Sequence, residues 1–164
     1  MKTSSTDCVG AAHECSGTLG GIGLCQDAVH LTYASRCGHV LIERELHLAA
    51  GWAGDEERRP LRHVPDEIGF ATKPQPAAVM LRRAGPLRHT PGRWFAGDEV
   101  YRGPALRRTA RSLGFDYALA VTADHRVTSG AGPFTIATLA ARGPARSWMR
   151  MRTGHGLKGD LHYD

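Results

Sequence analysis

Asp98 is the residue of this chain whose type and setting best suit chemistry. It follows a short apolar run, Arg93-Trp94-Phe95-Ala96-Gly97, and precedes Glu99 and a basic segment. Such a run predicts a buried strand. Acids at the carboxyl ends of strands are where open α/β folds place their reacting groups. Two or three carboxylates gathered there hold a pair of Mg²⁺ ions, which activate water and stabilise a leaving oxygen. An Asp in that position equally suits a plain cap on the next turn. The residues alone leave the two readings level. Lys73, Arg102, Arg107, Arg108, Arg111 and Arg126 flank the acid in sequence. They fit contacts to nucleic-acid phosphates around a metal site, or an ordinary solvated helix face.

Three other patterns carry less. Gly17, Gly20, Gly21 and Gly23 resemble a phosphate loop only in their glycines. No Gly-Lys-Ser/Thr follows and no helix is predicted after them, so a turn is the better reading. Cys8, Cys15, Cys25 and Cys37 are separated by six, nine and eleven residues, with His13, His30 and His39 among them. Structural zinc sites use tight Cys-x-x-Cys knuckles, and none is present. Cys25 reads instead as a small buried apolar residue. Cys37 and His39 would share a face of a strand, but no oxyanion hole or orienting acid accompanies them.

The chain that must position these groups has 164 residues, 41% apolar and 23% charged. That suits one ordinary domain and excludes a fully disordered chain. Four cysteines are too few for a disulfide framework. Lys and Arg number 21 against 16 Asp and Glu, a net charge of +5. Lysine occurs only at 2, 73 and 158, so the basic side is nearly all arginine. Arginine pairs with phosphate bidentately, which fits a polyanionic partner; a bias toward arginine codons fits as well. Met1–Leu19 has no apolar run behind its basic start. No stretch approaches the length of a membrane span. The expectation is a cytoplasmic protein, without membrane contact, with reduced thiols.

Met1–Gly23 is glycine-rich and predicts loop or weak strand, poorly ordered. Cys25–Ala34, rich in β-formers, and the alternating His39–Leu48 flank Ser35-Arg36-Cys37-Gly38 and predict a β-hairpin. In its second strand Arg44 falls among apolar positions, which points to an edge or a paired charge. Gly51–Thr72, with its charge run at 55–59, predicts a solvated connection holding about one helical turn. Pro74 and Pro76 open a helix through Ala84, stopped by Gly85-Pro86. Arg93–Ala96 is a strand, Pro104–Leu113 a helix stopped by Gly114, and Phe115–Thr122 a second buried strand. Strand, helix, strand makes a βαβ unit and a parallel pair. A mixed α/β sheet follows from the hairpin and that unit. Ser129-Gly130-Ala131-Gly132-Pro133 breaks the pattern. Thr135–Ala141 reads as a helix, Arg146–Arg152 as an exposed strand, and Leu161–Asp164 as the start of another.

Several blocks in order then fit one family. The chain has SGTLGGIGLCQ at 16–26, LTYAS at 31–35 and GHVLIERELHL at 38–48. It continues with VPDEIGFATKP at 64–74, RWFAGDEVY at 93–101, PALR at 104–107, YALAVTADHRV at 117–127 and GLKGDLHYD at 156–164. Together they resemble the DDE-type transposases of bacterial insertion sequences, in the insertion sequence 701 group. The resemblance covers nearly the whole chain, and the order of the blocks is its specific part. It implies an RNase H-like α/β catalytic domain and Mg²⁺- or Mn²⁺-dependent cleavage and strand transfer of DNA at element ends. It places the second of three catalytic acids at Asp98, as a metal ligand. The first acid belongs to a block upstream of the one seen here as SGTLG, which Asp7 does not match, and the third to a helix beyond the last block. The resemblance therefore implies a partial catalytic domain over 1–164, lacking the first strand and the last catalytic helix. Residues 128–164 would be the start of an insertion within the domain.

Other departures fall at Cys15, where the family has Tyr, at Gly21–Leu24, where it has Arg-Ile-Glu-Asn, and at His30, where it has a large apolar residue. A residue is also missing between Tyr101 and Pro104. One carboxylate holds Mg²⁺ weakly, and a lost central strand leaves its neighbours' backbone and apolar faces uncovered. The expectation is a chain inactive alone, of marginal stability unless a partner supports it. The alternative is a non-enzymatic DNA-binding remnant that interferes with a full-length transposase. A third class, a small protein stabilised by zinc on its cysteines, would show stoichiometric metal.

Overall fold

The computed structural model describes residues 5–16, 21–85, 92–149, 151–156 and 159–163, with backbone alone for 15–16, 151–156 and 159–163. The chain forms two compact units, Met1–Ala120 and Val121–Asp164.

The first unit begins with β1 (Ala12–Ser16) and β2 (Gly21–Cys25), an antiparallel hairpin pairing Ala12 with Cys25. Here the glycine-rich sequence predicts loop or weak strand, and backbone pairing wins without a hydrophobic alternation to announce it. The predicted long hairpin follows as β3 (Asp27–Ser35) and β4 (Gly38–His47). Its register runs from Asp27 opposite His47 to Ser35 opposite Gly38, with an irregularity between Leu31 and Thr32. The Ser35 hydroxyl ties the turn, accepting from the Cys37 N–H at 3.2 Å and donating to the Gly38 carbonyl at 3.3 Å. Gly38 has φ 147°, which favours glycine there. β4 is an edge strand among the described residues, which accounts for the exposed Arg44 among its apolar positions. Near the tip Val40, Leu41 and Ile42 are all exposed, so both faces of the ribbon are apolar there. Glu43 and Glu45 come next and pair with Arg83, at 2.9 and 2.6 Å.

Residues 51–72 are more structured than a solvated connection. Two short helices form, α1 (Ala50–Ala53) and α2 (Arg58–Leu61). Trp52 is buried with Leu48 and Val64. Its Nε1 donates to the Ala11 carbonyl at 2.9 Å, and the Arg58 guanidinium stacks on its ring at 3.5 Å. An indole supplies more apolar area than the surrounding charges can keep in water.

α3 (Pro74–Ala84) has Pro at its first turn, where a missing N–H costs nothing. Ala77, Met80 and Leu81, spaced by three and four, are its buried face. β5 (Trp94–Gly97), α4 (Pro104–Ser112) and β6 (Asp116–Leu119) form the predicted βαβ unit. β5 and β6 are parallel, with Trp94 opposite Asp116 and Gly97 opposite Leu119. α4 buries Leu106, Thr109 and Ala110. It ends as a Schellman motif: the Phe115 N–H donates to the Ala110 carbonyl at 2.9 Å, and the Gly114 N–H to Arg111 at 3.0 Å. Gly114 has φ 79°. Gly114→Ala is expected to cost about 1 kcal/mol in denaturant unfolding, since a Cβ is strained in that region; no loss would mean the motif relaxes freely.

One expectation is corrected. The hairpin and the parallel pair do not join in one mixed sheet; each ladder among the described residues has two strands. What unites them is a core of Val29 from β3, Ala77, Met80 and Leu81 from α3, Phe95 from β5, and Leu106 and Ala110 from α4. The architecture is mixed α/β with small sheets.

In the second unit β7 (Arg126–Ser129) and β8 (Gly132–Thr135) make a hairpin across the residues expected only to break the pattern. Ser129 repeats the role of Ser35, accepting from the Ala131 N–H and donating to the Gly132 carbonyl, both at 3.2 Å. α5 (Ile136–Arg142) is capped by Thr135, whose hydroxyl accepts from the Thr138 N–H at 3.1 Å. The strand expected over 146–152 is displaced. Pro144 starts a short 3₁₀ turn over Ala145–Ser147, and β9 (Met151–Gly156) pairs antiparallel with β10 (Gly159–Tyr163).

Candidate metal centre and nucleic-acid interface

The apolar run of β5 ends at Gly97, and Asp98 follows in extended backbone at the mouth of a 3₁₀ turn over Glu99–Tyr101. Its carboxylate is exposed, and one oxygen accepts the Val100 N–H at 2.9 Å. The capping role left open by the sequence is therefore realised. Among the described residues no three His, Cys, Asp or Glu side chains gather as a metal would require. Asp98 with one oxygen already engaged does not make a Mg²⁺ site by itself.

The best-connected polar cluster lies beside that turn and centres on Lys73. Its Nζ is 2.5 Å from Asp27 Oδ2 and 3.9 Å from Glu14 Oε2. Glu14 also stands 3.9 Å from the Nε2 of His47, whose Nδ1 is buried without a partner among the described residues. Burial pushes Asp27 up, but the hydrogen bond and charge of Lys73 outweigh it, helped by the Ala28 N–H and His47. Asp27 therefore titrates below its ordinary 3.8. Burial pushes Lys73 down, and its bond to Asp27 with the charges of Asp27, Glu14 and Tyr101 outweighs that, so it titrates above 10.5. Tyr101 joins the two groups of acids. Burial and then the charge of Asp98 raise its phenol above 10.0, against a smaller opposing effect of Lys73.

The sign of the pH dependence follows. Asp27 contributes stability above its ordinary value, lost as pH falls through its lowered one. Lys73 contributes below 10.5, lost as pH rises through its raised one. Lys73→Met is expected to cost about 1–2 kcal/mol at pH 7, shrinking toward zero well below pH 3.8. Urea melts of both proteins at the two pH values measure it. An equal cost at both would mean the pair contributes only packing.

The arginines separate into several environments. Arg107, Arg108 and Arg111 lie on the side of α4 opposite Leu106, Thr109 and Ala110. Arg108 is exposed and Arg107 half-buried, and neither has an acid partner among the described residues. Arg111 donates to the Tyr117 hydroxyl at 2.7 Å and stacks on its ring at 5.2 Å. Arg102 donates to the Glu99 carbonyl at 2.8 Å. Arg126 is exposed at the start of β7, in the second unit. So α4 gathers three of the six expected phosphate contacts, and Lys73 is held by acids. Sequence reading missed Glu14, Asp27 and His47 as the partners of Lys73. Asp27 is 46 residues away from it, and no local pattern links them.

A family model, DDE superfamily endonuclease, matches residues 1–156 of the chain. The chain belongs to this family. No curated protein and no solved structure matches it. Membership gives the DDE endonuclease chain a transposase-type nuclease relationship and DNA as its substrate class. DDE superfamily endonucleases typically use divalent metals, and among the described residues no cluster of ligands gathers for one. No helix among the described residues is long and apolar enough to cross a membrane.

Proposed function

We propose that this chain is a relative of the insertion-sequence transposases of the 701 group that binds DNA but does not cut it alone. The parent reaction is Mg²⁺-dependent cleavage and strand transfer at element ends. The setting of Asp98 carries the reading. It corresponds to one of three acids in the resemblance, caps its own turn, and has no ligating cluster around it among the described residues. A metal pair needs two or three carboxylates in one place, because Mg²⁺ sheds water only for good ligands.

DNA contact falls in this reading to Arg107, Arg108 and Arg111 on α4, with Arg102 beside the turn and Arg126 from the second unit. That Arg107 and Arg108 have no acid partner among the described residues favours a further role: a chain that occupies element ends without cutting competes with a full-length transposase. Residues 128–164 stand in this reading as the start of an insertion within the catalytic domain. The setting is the bacterial cytoplasm, at the nucleoid.

Purified protein incubated with supercoiled element-end DNA in Mg²⁺ or Mn²⁺ is expected to leave it uncut while retarding duplex DNA in a gel. Asp98→Ala is expected to behave the same. Nicking by the natural chain that Asp98→Ala abolishes would overturn the silent reading. Absence of retardation at low salt would overturn the DNA-binding one.

A further inference from the structure

Segments from β1, β4, the start of α3 and the Asp98 turn meet in the first unit around an open cleft of about 550 Å³. Phe70, Pro74 and Val100 form its apolar side, and Glu14, His47 and Lys73 its polar one. Phe70 is 54% exposed, although phenylalanine is among the residues most often buried. An aromatic face left in water beside a polar edge suits a planar ring stacked on it. His47 ties the two sides together. Its ring meets Phe70 edge-on at 6.3 Å and 62°, and its Nε2 stands 3.9 Å from Glu14 Oε1.

Glu14 is the polar group with capacity to spare. Its oxygens lie 3.9 Å from His47 Nε2 and 3.9 Å from Lys73 Nζ, beyond hydrogen-bond length. Its side chain is 26% exposed, so the carboxylate can accept from a guest. Lys73 is committed to Asp27 at 2.5 Å. Glu14 and Asp27 set against Lys73 leave this wall one negative charge in excess. That charge disfavours a phosphate or carboxylate at the wall and favours N–H donors. A carboxylate takes two parallel donors side by side.

We infer that the cleft holds one unpaired guanine base of a DNA strand, stacked on Phe70, with its ring N–H and exocyclic amine donating to Glu14. The inference rests on the DNA-binding reading above. Among the DNA bases, guanine has two adjacent N–H donors on its pairing edge. Adenine and cytosine place a bare ring nitrogen beside their amine, and thymine flanks its N–H with carbonyls. Each of those sets a lone pair against the carboxylate, which is costly. In a duplex the pairing edge is already used, so the base is single-stranded or turned out of its stack. Val100, a wall of the cleft, is the residue whose N–H Asp98 accepts. A held guanine therefore fixes the register of the strand beside that carboxylate and needs no metal to do so.

The test uses the full chain, followed by NMR shifts of the Glu14, Phe70, Thr72 and Lys73 amides. Deoxyguanosine and deoxyinosine monophosphates are the first probes, since inosine lacks just the exocyclic amine. The guanine nucleotide is expected to bind about tenfold tighter, the worth of one hydrogen bond to a charged group. Glu14→Gln keeps the size and is expected to bring that ratio to about one. Phe70→Ala, at an exposed ring, is expected to weaken both nucleotides alike, by about tenfold. A single-stranded oligothymidine with one internal guanine is expected to shift the same amides, and to lose that effect when annealed to its complement. Equal binding of the two nucleotides, a preference that survives Glu14→Gln, or shifts confined to other residues would overturn the inference. So would binding of the nucleotide without the oligonucleotide, which would mean a free-nucleotide site. Tighter binding of N-acetyl-arginine amide at the same amides would mean a peptide site and overturn it too. Failure of the wider reading looks different: duplex retardation is lost while the guanine preference persists. Retardation kept without any guanine preference removes the cleft alone.

Discussion

Leu106→Ala is expected to lower the unfolding free energy by about 2–5 kcal/mol, the range for truncating a buried leucine. Leu106 is 1% exposed, and the core it belongs to contains residues of β3, α3, β5 and α4. Among the described residues no continuous sheet links those elements, so the side chains do the linking. A cavity at Leu106 weakens the hold of α4 on the parallel pair and on α3 together. Two controls separate packing from general fragility. Leu106→Met keeps the volume and is expected to cost less than about 1.5 kcal/mol. Arg108→Ala, on the solvent side of the same helix, is expected to stay within about 0.5 kcal/mol. Urea unfolding of the three variants gives the comparison. A loss at Leu106→Ala no larger than at Arg108→Ala would mean that this core does not hold the unit together.

The second large effect concerns DNA. Arg107→Glu with Arg108→Glu is expected to weaken duplex binding more than tenfold at moderate salt. It should also flatten the slope of log affinity against log salt by about 2, one for each phosphate that an arginine no longer neutralises. Neither arginine has an acid partner among the described residues, so the fold gives up no ion pair in the exchange. Lys73→Gln is expected to move DNA affinity little, because Asp27 and Glu14 already hold that ammonium. Filter binding over a salt series distinguishes the two outcomes. Equal effects at Lys73 and at the α4 pair would mean that net charge alone attracts DNA.

The parts of the fold legible in the sequence are those with local punctuation. α3 and α4 each begin at a proline, and Gly114 closes α4 with a positive φ. The β3–β4 hairpin has alternation and a recognisable turn. The β7–β8 hairpin uses the same Ser-x-x-Gly closure, Ser129 to Gly132 repeating Ser35 to Gly38. Its glycines and proline read as a break because the short flanking strands have no alternation long enough to show. β1 and β2 are hidden for the same reason. At the candidate site, sequence supplied Asp98 at a strand end but left capping and ligation level; the Val100 N–H settles the capping role. The partners of Lys73 depend on the meeting of distant segments. Periodicity cannot encode such meetings.

The tip of the long hairpin sets a limit on handling the protein. Val40, Leu41 and Ile42 present apolar side chains on both faces of a ribbon whose outer edge is unpaired among the described residues. The acids that follow would ordinarily act as gatekeepers against stacking, since like charges keep such ribbons apart. Arg83 pairs with both Glu43 and Glu45 and offsets one of their two charges. The tip therefore adds an apolar contact surface that the net charge of +5 has to offset in solution. Charging the tip, not shifting the pH, is the way to concentrate the chain.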